Sequence, residues 1–272
     1  MPRDEHRTAA RDGAETIHGL RACLAVFARR RDDVLRVAFT RAVRHEALDL
    51  ARWAAARRLP CAEVTDAELD RIAGSSHHEG LCVAARPRRW LPTGEIADRL
   101  LGDRGTALAL DRVRNPYNVG AMMRTAAFFG VRAALLGAPA PHPGLAPTAV
   151  RVAEGGVEYL DVARTTDLAE TLSRLRARGV RVVGADPAGP TAASELSLQG
   201  PVVLVVGNER EGLGERVEAQ CDALVSVHGC GAVESLNVAV ATGILLAQIA
   251  GRRGPARAPA HSSGSAARSE KR

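Results

Sequence analysis

Three short clusters hold the residues whose types and spacing could do chemistry: Asn115–Arg124, Gly207–Gly214 and His228–Asn237. Within them stand Asn118, Arg124, Glu209, Ser235 and Asn237, polar side chains placed just after apolar runs. Arg124 follows Asn118 by six residues; it is either a plain surface arginine or a cation aimed at an anion. Glu209 lies in a glycine loop, as a cap for the next helix or as an oriented partner for a cation. Ser235 and Asn237 stand where a helix begins and could simply cap exposed backbone N–H groups. The glycines of GNEREGLG and HGCGAVES permit positive φ and let bare backbone approach a ligand. Without a lysine, such loops suit recognition by backbone N–H and C=O groups, as of an adenine edge. Neither a GxxxxGK[ST] loop nor a GxGxxG after the first strand of this region occurs.

The elements that must position these clusters are legible as alternating apolar runs. From about Arg104, strands are expected at Thr106–Leu110, Ala133–Leu136, Glu158–Val162, Val180–Gly184 and Val202–Val206. Leu224–Gly251 adds a β-branched run, a glycine loop and a long apolar helix. Helices are expected at Val119–Phe129, ended by Gly130, near Thr148–Glu154, and after Asp167, where Glu170 completes a capping-box spacing. The continuous apolar runs suit parallel strands buried on both faces. Strand and helix alternating through 106–251 predict a parallel doubly wound sheet, in which ligands lie outside the carboxyl ends of the strands. Each cluster follows a strand, so all three should crowd one edge.

Before that region, residues 1–15 are polar and expected to fray, and 16–87 read as a small α/β domain. Its expected elements are a helix at Gly19–Arg30, a strand at Val34–Thr40, a helix through Ala42–Arg58, a strand at Cys61–Val64, a short helix opened by Thr65 or Asp66, and a strand at Leu81–Ala85. Residues 88–103 read as a linker, 104–251 as the second domain and 252–272 as a basic disordered tail. That tail holds six basic groups against Glu270, most of the net charge of +6, while the body is near neutral. Arginine abundance therefore says little about a polyanionic partner. Five scattered cysteines without CxxC pairing suggest a reducing compartment, and no metal cluster is visible. The start has no secretory signal and the longest apolar run is too short for a bilayer, so a cytoplasmic protein off the membrane is expected.

NPYNVGAMMRTAAFFGV, VVLVVGNEREGLG and VSVHGCGAVESLNVAVATGILLAQ resemble the three motifs of the SpoU (TrmH-type) RNA ribose 2′-O-methyltransferases of the SPOUT superfamily. The resemblance covers roughly residues 104–251 in the family's motif order. Residues 16–87, with IHGL and HHEGLCVAA, are similar to the ribosomal-protein-like substrate-binding domain that precedes the catalytic domain in several members. The resemblance implies an α/β parallel-sheet SPOUT domain with a C-terminal trefoil knot, a homodimer, and no need of a metal. S-adenosylmethionine would lie in the knotted loops on main-chain groups of Gly207, Val227 and Leu236. The family's functional positions fall on Asn118, Arg124, Glu209, Ser235 and Asn237. One departure is His228, where most members have proline.

The implied reaction transfers a methyl group from S-adenosylmethionine to a ribose 2′-OH of rRNA or tRNA. The rival expectation is a non-catalytic RNA-binding or ribosome-assembly protein that retains the fold; retention of all five polar positions speaks against it.

Overall fold

A computed structural model describes residues 13–139, 144–192, 195 and 200–253. Most of the segments expected to be a frayed start and a disordered tail, 1–12 and 254–272, lie outside the described residues.

The first unit forms where short apolar runs alternate with amphipathic ones. Its elements are β1 (Glu15–His18), α1 (Leu20–Arg30), β2 (Val34–Thr40), α2 (Leu48–Ala56), β3 (Cys61–Val64), α3 (Asp66–Ala73) and β4 (Leu81–Ala85). The sheet order is β1-β4-β2-β3, with only β2 and β3 parallel. Thr65 and Glu68 close a reciprocal capping box on α3, and Gly74 ends it in the left-handed conformation. Two expectations change here. Glu15 belongs to β1, a strand of four residues too short to announce itself by periodicity. The helix expected through Ala42–Arg58 breaks into a 3-10 turn at Arg41–Val43 and α2, because Arg44, His45 and Glu46 are exposed and offer the sheet nothing to bury.

The segment 88–103, expected as a linker, carries α4 (Thr93–Asp103). Ile96, Ala97 and Leu100 are fully or almost fully buried and join Leu135, Ala163 and Leu172 in one core. Pro92 and Gly94, taken as linker signals, sit at the start of the helix, where missing intrahelical N–H bonds cost nothing.

The second unit is built from β5 (Thr106–Asp111), α5 (Pro116–Phe128), β6 (Ala133–Gly137), α6 (Pro147–Val152), β7 (Asp161–Thr165), α7 (Leu168–Ala177), β8 (Arg181–Ala185), β9 (Thr191–Ala192), β10 (Val202–Val206), α8 (Glu215–Glu218), β11 (Ala223–Ser226) and α9 (Val238–Arg253). The sheet order is β7-β6-β5-β10-β8-β11-β9, every pair parallel. Side-chain alternation sends Leu108, Leu110, Val202, Leu204 and Val206 into the core under α5 and α9. Ala107, Ala109, Val203 and Val205 go into the opposite core under α4 and α7. The strand expected at Glu158–Val162 starts later: Gly156–Tyr159 is a 3-10 turn and β7 begins at Asp161. Helix α9 continues past residue 251 to Arg253.

The displaced segment is where the two units meet. The Glu158 carboxylate, 5% exposed, pairs with Arg30 (2.9 Å) and with the equally buried Arg88 (3.2 Å). Glu15 pairs with the same two arginines at 3.1 and 3.6 Å. Burial opposes the charge on Arg30, but Glu158 and Glu15 outweigh it and hold its guanidinium above the ordinary value. Removing one member of a buried ionic cluster strands the others and costs about 3–5 kcal/mol. Glu158→Gln should therefore lower unfolding free energy by roughly that amount in urea titration; a loss below about 1 kcal/mol would mean that the cluster is solvated.

Candidate active site at the carboxyl edge of the parallel sheet

In a sheet whose neighbours all run parallel, every carboxyl end faces the same way. The loops after β5, β10 and β11 therefore share one rim, as expected from the order of strands and helices. On that rim Asn118, one turn into α5, donates from Nδ2 to Oε1 of Glu209 at 2.7 Å. Asn237 donates from Nδ2 to Oδ1 of Asn118 at 3.1 Å. Three turns from distant parts of the chain are thus joined by two side-chain hydrogen bonds. Asn237 is also a cap: its Oδ1 accepts from the N–H of Ala239 at 2.9 Å. The two uses of Asn237 are compatible because an amide donates from one end and accepts at the other. The cap of α5 is Asn115, whose Oδ1 accepts from the N–H of Tyr117.

Arg124 stands apart from this chain of bonds. Six residues beyond Asn118, it lies about 9 Å further along the helix axis and some 240° round it. Its Nη1 donates to Oε1 of Glu154 at 2.7 Å, and the side chain is 57% exposed. Ser235 is exposed in the loop before α9. Gly207 is buried at the end of β10, Val227 is half-buried and packs on the core, and Leu236 is exposed. His228 is also exposed. From Val227 to Leu236 no described residue makes a backbone–backbone hydrogen bond with the loop. From His228 onward these residues are exposed, which leaves their N–H and C=O groups open to a ligand.

The glycine loop after β10 is fixed by groups that the sequence did not single out. Asp111, buried at the end of β5, accepts from the N–H of Gly214 at 2.8 Å and from Nε of Arg112 at 3.3 Å. Arg112 reaches Glu211 at 2.6 Å, and its carbonyl accepts from Nδ2 of Asn208 at 3.1 Å. The hydrogen bond to Asp111 raises the Arg112 guanidinium above its ordinary value; desolvation opposes it and Glu211 adds to it. A carboxylate closing an all-apolar strand, as Asp111 does, was the available signal. Glu154 was also missed, and the two glycines after it were the hint of close packing there.

Chemically, this rim offers an oriented carboxylate–amide–amide row with an exposed loop beside it, while Arg124 is set back on another face of α5. Among the described residues no group of three His, Cys, Asp or Glu side chains could hold a metal ion, and no helix is long and apolar enough to cross a membrane. The close fit of the glycine loop gives a direct test. A Cβ on Gly207 would stand 2.2 Å from the Gly212 carbonyl carbon, against backbone that has no side chain to move aside. Gly207→Ala should cost about 1–3 kcal/mol through overpacking, read as a lowered melting temperature. An unchanged melting temperature would show that the loop adjusts freely.

Comparison with known proteins identifies the family. Residues 105–247 match the SpoU rRNA Methylase family, and residues 16–91 match the family described as RNA 2′-O ribose methyltransferase substrate binding. An uncharacterized tRNA/rRNA methyltransferase of Mycobacterium ulcerans is 37% identical over 196 residues, 72% of this chain and 63% of that protein. The uncharacterized tRNA/rRNA methyltransferase YfiF of Escherichia coli O157:H7 is 33% identical over 232 residues, 85% of this chain and 66% of that protein. The chain thus spans less than two thirds of the length of the mycobacterial relatives. Among solved structures, an AdoMet-bound rRNA methyltransferase from Sinorhizobium meliloti superposes with a TM-score of 0.71 at 27% identity, over 91% of this chain and 93% of that one. By the match over its second unit, the chain belongs to the SpoU rRNA Methylase family.

Proposed function

We propose that this chain is an RNA methyltransferase that uses S-adenosylmethionine to methylate a ribose 2′-OH of rRNA or tRNA. The observation that carries the reading is the Asn237–Asn118–Glu209 row beside an open loop at the carboxyl edge of the sheet. The family match and the AdoMet-bound relative support the cofactor, and the substrate-binding match over residues 16–91 supports RNA. The loop fits such a group: its backbone makes no bond to another described residue's backbone, and Leu236 presents an exposed apolar side chain beside it. In this reading Gly207, Val227 and Leu236 hold the cofactor through main-chain groups.

When bound, S-adenosylmethionine supplies a methyl group already activated on sulfur. The protein's share is then alignment and charge. Asn118, Glu209, Ser235 and Asn237 orient the ribose and the donor. A guanidinium is effectively always protonated, so Arg124 acts by holding an RNA phosphate and stabilising the ribose oxygen, whose proton passes to solvent water as the methyl group moves onto it.

Homodimer formation, the trefoil knot and a cytoplasmic site of action belong to the same proposal. Tyr117, Arg124 and Phe128 share a face of α5 at spacings of seven and four, with Tyr117 56% and Phe128 82% exposed. A second copy covering that face would bring Arg124 into the interface. The knot is supported by the way β10 returns to lie between β5 and β8, and by α9 packing back on α5. The division into a substrate-binding unit and a methyltransferase unit is proposed on the same grounds, with α4 assigned to the latter.

A second reading, an RNA-binding or ribosome-assembly protein that no longer catalyses, is favoured by one observation. Arg124 pairs with Glu154, not with the amide row. Titration calorimetry with S-adenosylmethionine separates the two, since heat of binding is expected only for the enzyme. Arg124→Ala should reduce methyl transfer from tritiated S-adenosylmethionine to bulk RNA by on the order of 10²–10⁴ with the fold intact. Undiminished transfer by that variant would defeat the assignment. Phe128→Arg should convert a dimer to a monomer in light scattering; a variant still dimeric would remove α5 from the interface.

A further inference from the structure

Glu154 is an ordinary carboxylate in an unusual mount. Its φ is +45°, in the left-handed region that residues with a Cβ rarely adopt. The two residues after it leave no room for side chains. A Cβ on Gly155 would stand 2.4 Å from the Ala25 Cβ of α1, and one on Gly156 would stand 2.9 Å from the Arg124 Cα of α5. The turn 154–156 is therefore wedged between the first unit and the very residue of α5 that carries the guanidinium. Backbone strain retained at a tightly packed position often belongs to a functional arrangement. Here its product is specific: the carboxylate takes Nη1 of Arg124 at 2.7 Å with one oxygen. Its other oxygen lies 3.8 Å from Nε of Arg21 on α1.

We propose that Glu154 is a positioning residue for methyl transfer, holding the Arg124 guanidinium by one nitrogen so that its remaining donors are aimed at the ribose hydroxyl and its phosphate. The proposal rests on the reading of Arg124 given above. A guanidinium is a rigid planar fork, so fixing one nitrogen fixes the direction of the others. An exposed, four-torsion arginine would otherwise sample many directions. The mount matters because the close packing of Gly156 on the Arg124 Cα fixes the backbone from which the carboxylate reaches the guanidinium. Contact with α1 ties the same carboxylate to the first unit, so the arginine is registered against the unit matched to substrate binding.

The test uses the full chain and three substitutions: Glu154→Gln, Glu154→Asp and Glu154→Gly. Transfer of tritium from S-adenosylmethionine to bulk RNA of a strain lacking the protein gives kcat and apparent KM. Glu154→Gly relieves the positive φ, so its melting temperature should be unchanged or higher, which separates loss of aim from loss of fold. Glu154→Gln and Glu154→Gly should each lower kcat at least about tenfold, with apparent KM for the cofactor changed by less than about threefold. Glu154→Asp should recover part of the loss, because it keeps the charge on a shorter arm. Turnover within about twofold of the unaltered chain in the Gln and Gly variants, or no recovery by Asp over Gln, would overturn the proposal alone. No 2′-O-methyl product from the unaltered chain would instead overturn the parent reading, and this one with it.

Discussion

Asn118 holds the site together. Its amide accepts from Asn237 and donates to Glu209, joining segments 119 and 91 residues away along the chain. No local structure would bring these residues within hydrogen-bonding distance; only the all-parallel sheet does, by directing the ends of β5, β10 and β11 to one rim. The dependence runs both ways. An amide bonded at both ends keeps its orientation, so its dipole acts on a ligand without first having to rearrange.

Around that constraint the molecule divides rigid from open. The loop after β10 is fixed by Asp111, Arg112 and Asn208, and it packs so closely that Gly207 has no space for a methyl group. The loop after β11 is the reverse: exposed from His228 to Asn237 and, before Asn237, without backbone partners among the described residues. A rigid wall facing an open strip of backbone suits a ligand that slots between them. The first unit is not a loosely tethered appendage. A cluster of two arginines and two carboxylates centred on buried Arg88 and Glu158, and the close approach of α1 to Gly155, set its position.

Much of the second unit was legible in the sequence because buried parallel strands leave continuous apolar runs. Val202–Val206 is such a run and is a strand with those limits. The rim position of the three clusters followed from strand–helix alternation alone. Three things were hidden, each for a physical reason. β1 is four residues long and owes its structure to its partner β4. Helix α4 was masked by Pro92 and Gly94, which disturb a helix far less at its start than in its middle. The start of β7 was obscured because Glu158, in an apolar-looking stretch, is buried by its pairing with Arg30 of the first unit and with Arg88. At the site, spacing could link Asn118, Glu209 and Asn237 to one edge, but not that Arg124 rests on Glu154. That contact depends on a left-handed turn and two glycines that no periodicity reports.

The central claim is that this rim holds a methyl donor beside a sugar hydroxyl, and its most direct measurement is the chemical position of the transferred methyl. RNA incubated with the protein and methyl-labelled S-adenosylmethionine, digested to nucleosides and analysed by mass spectrometry, should carry the label on the ribose 2′-oxygen. Label on a base, or an unlabelled digest from protein that binds the cofactor, would contradict the account.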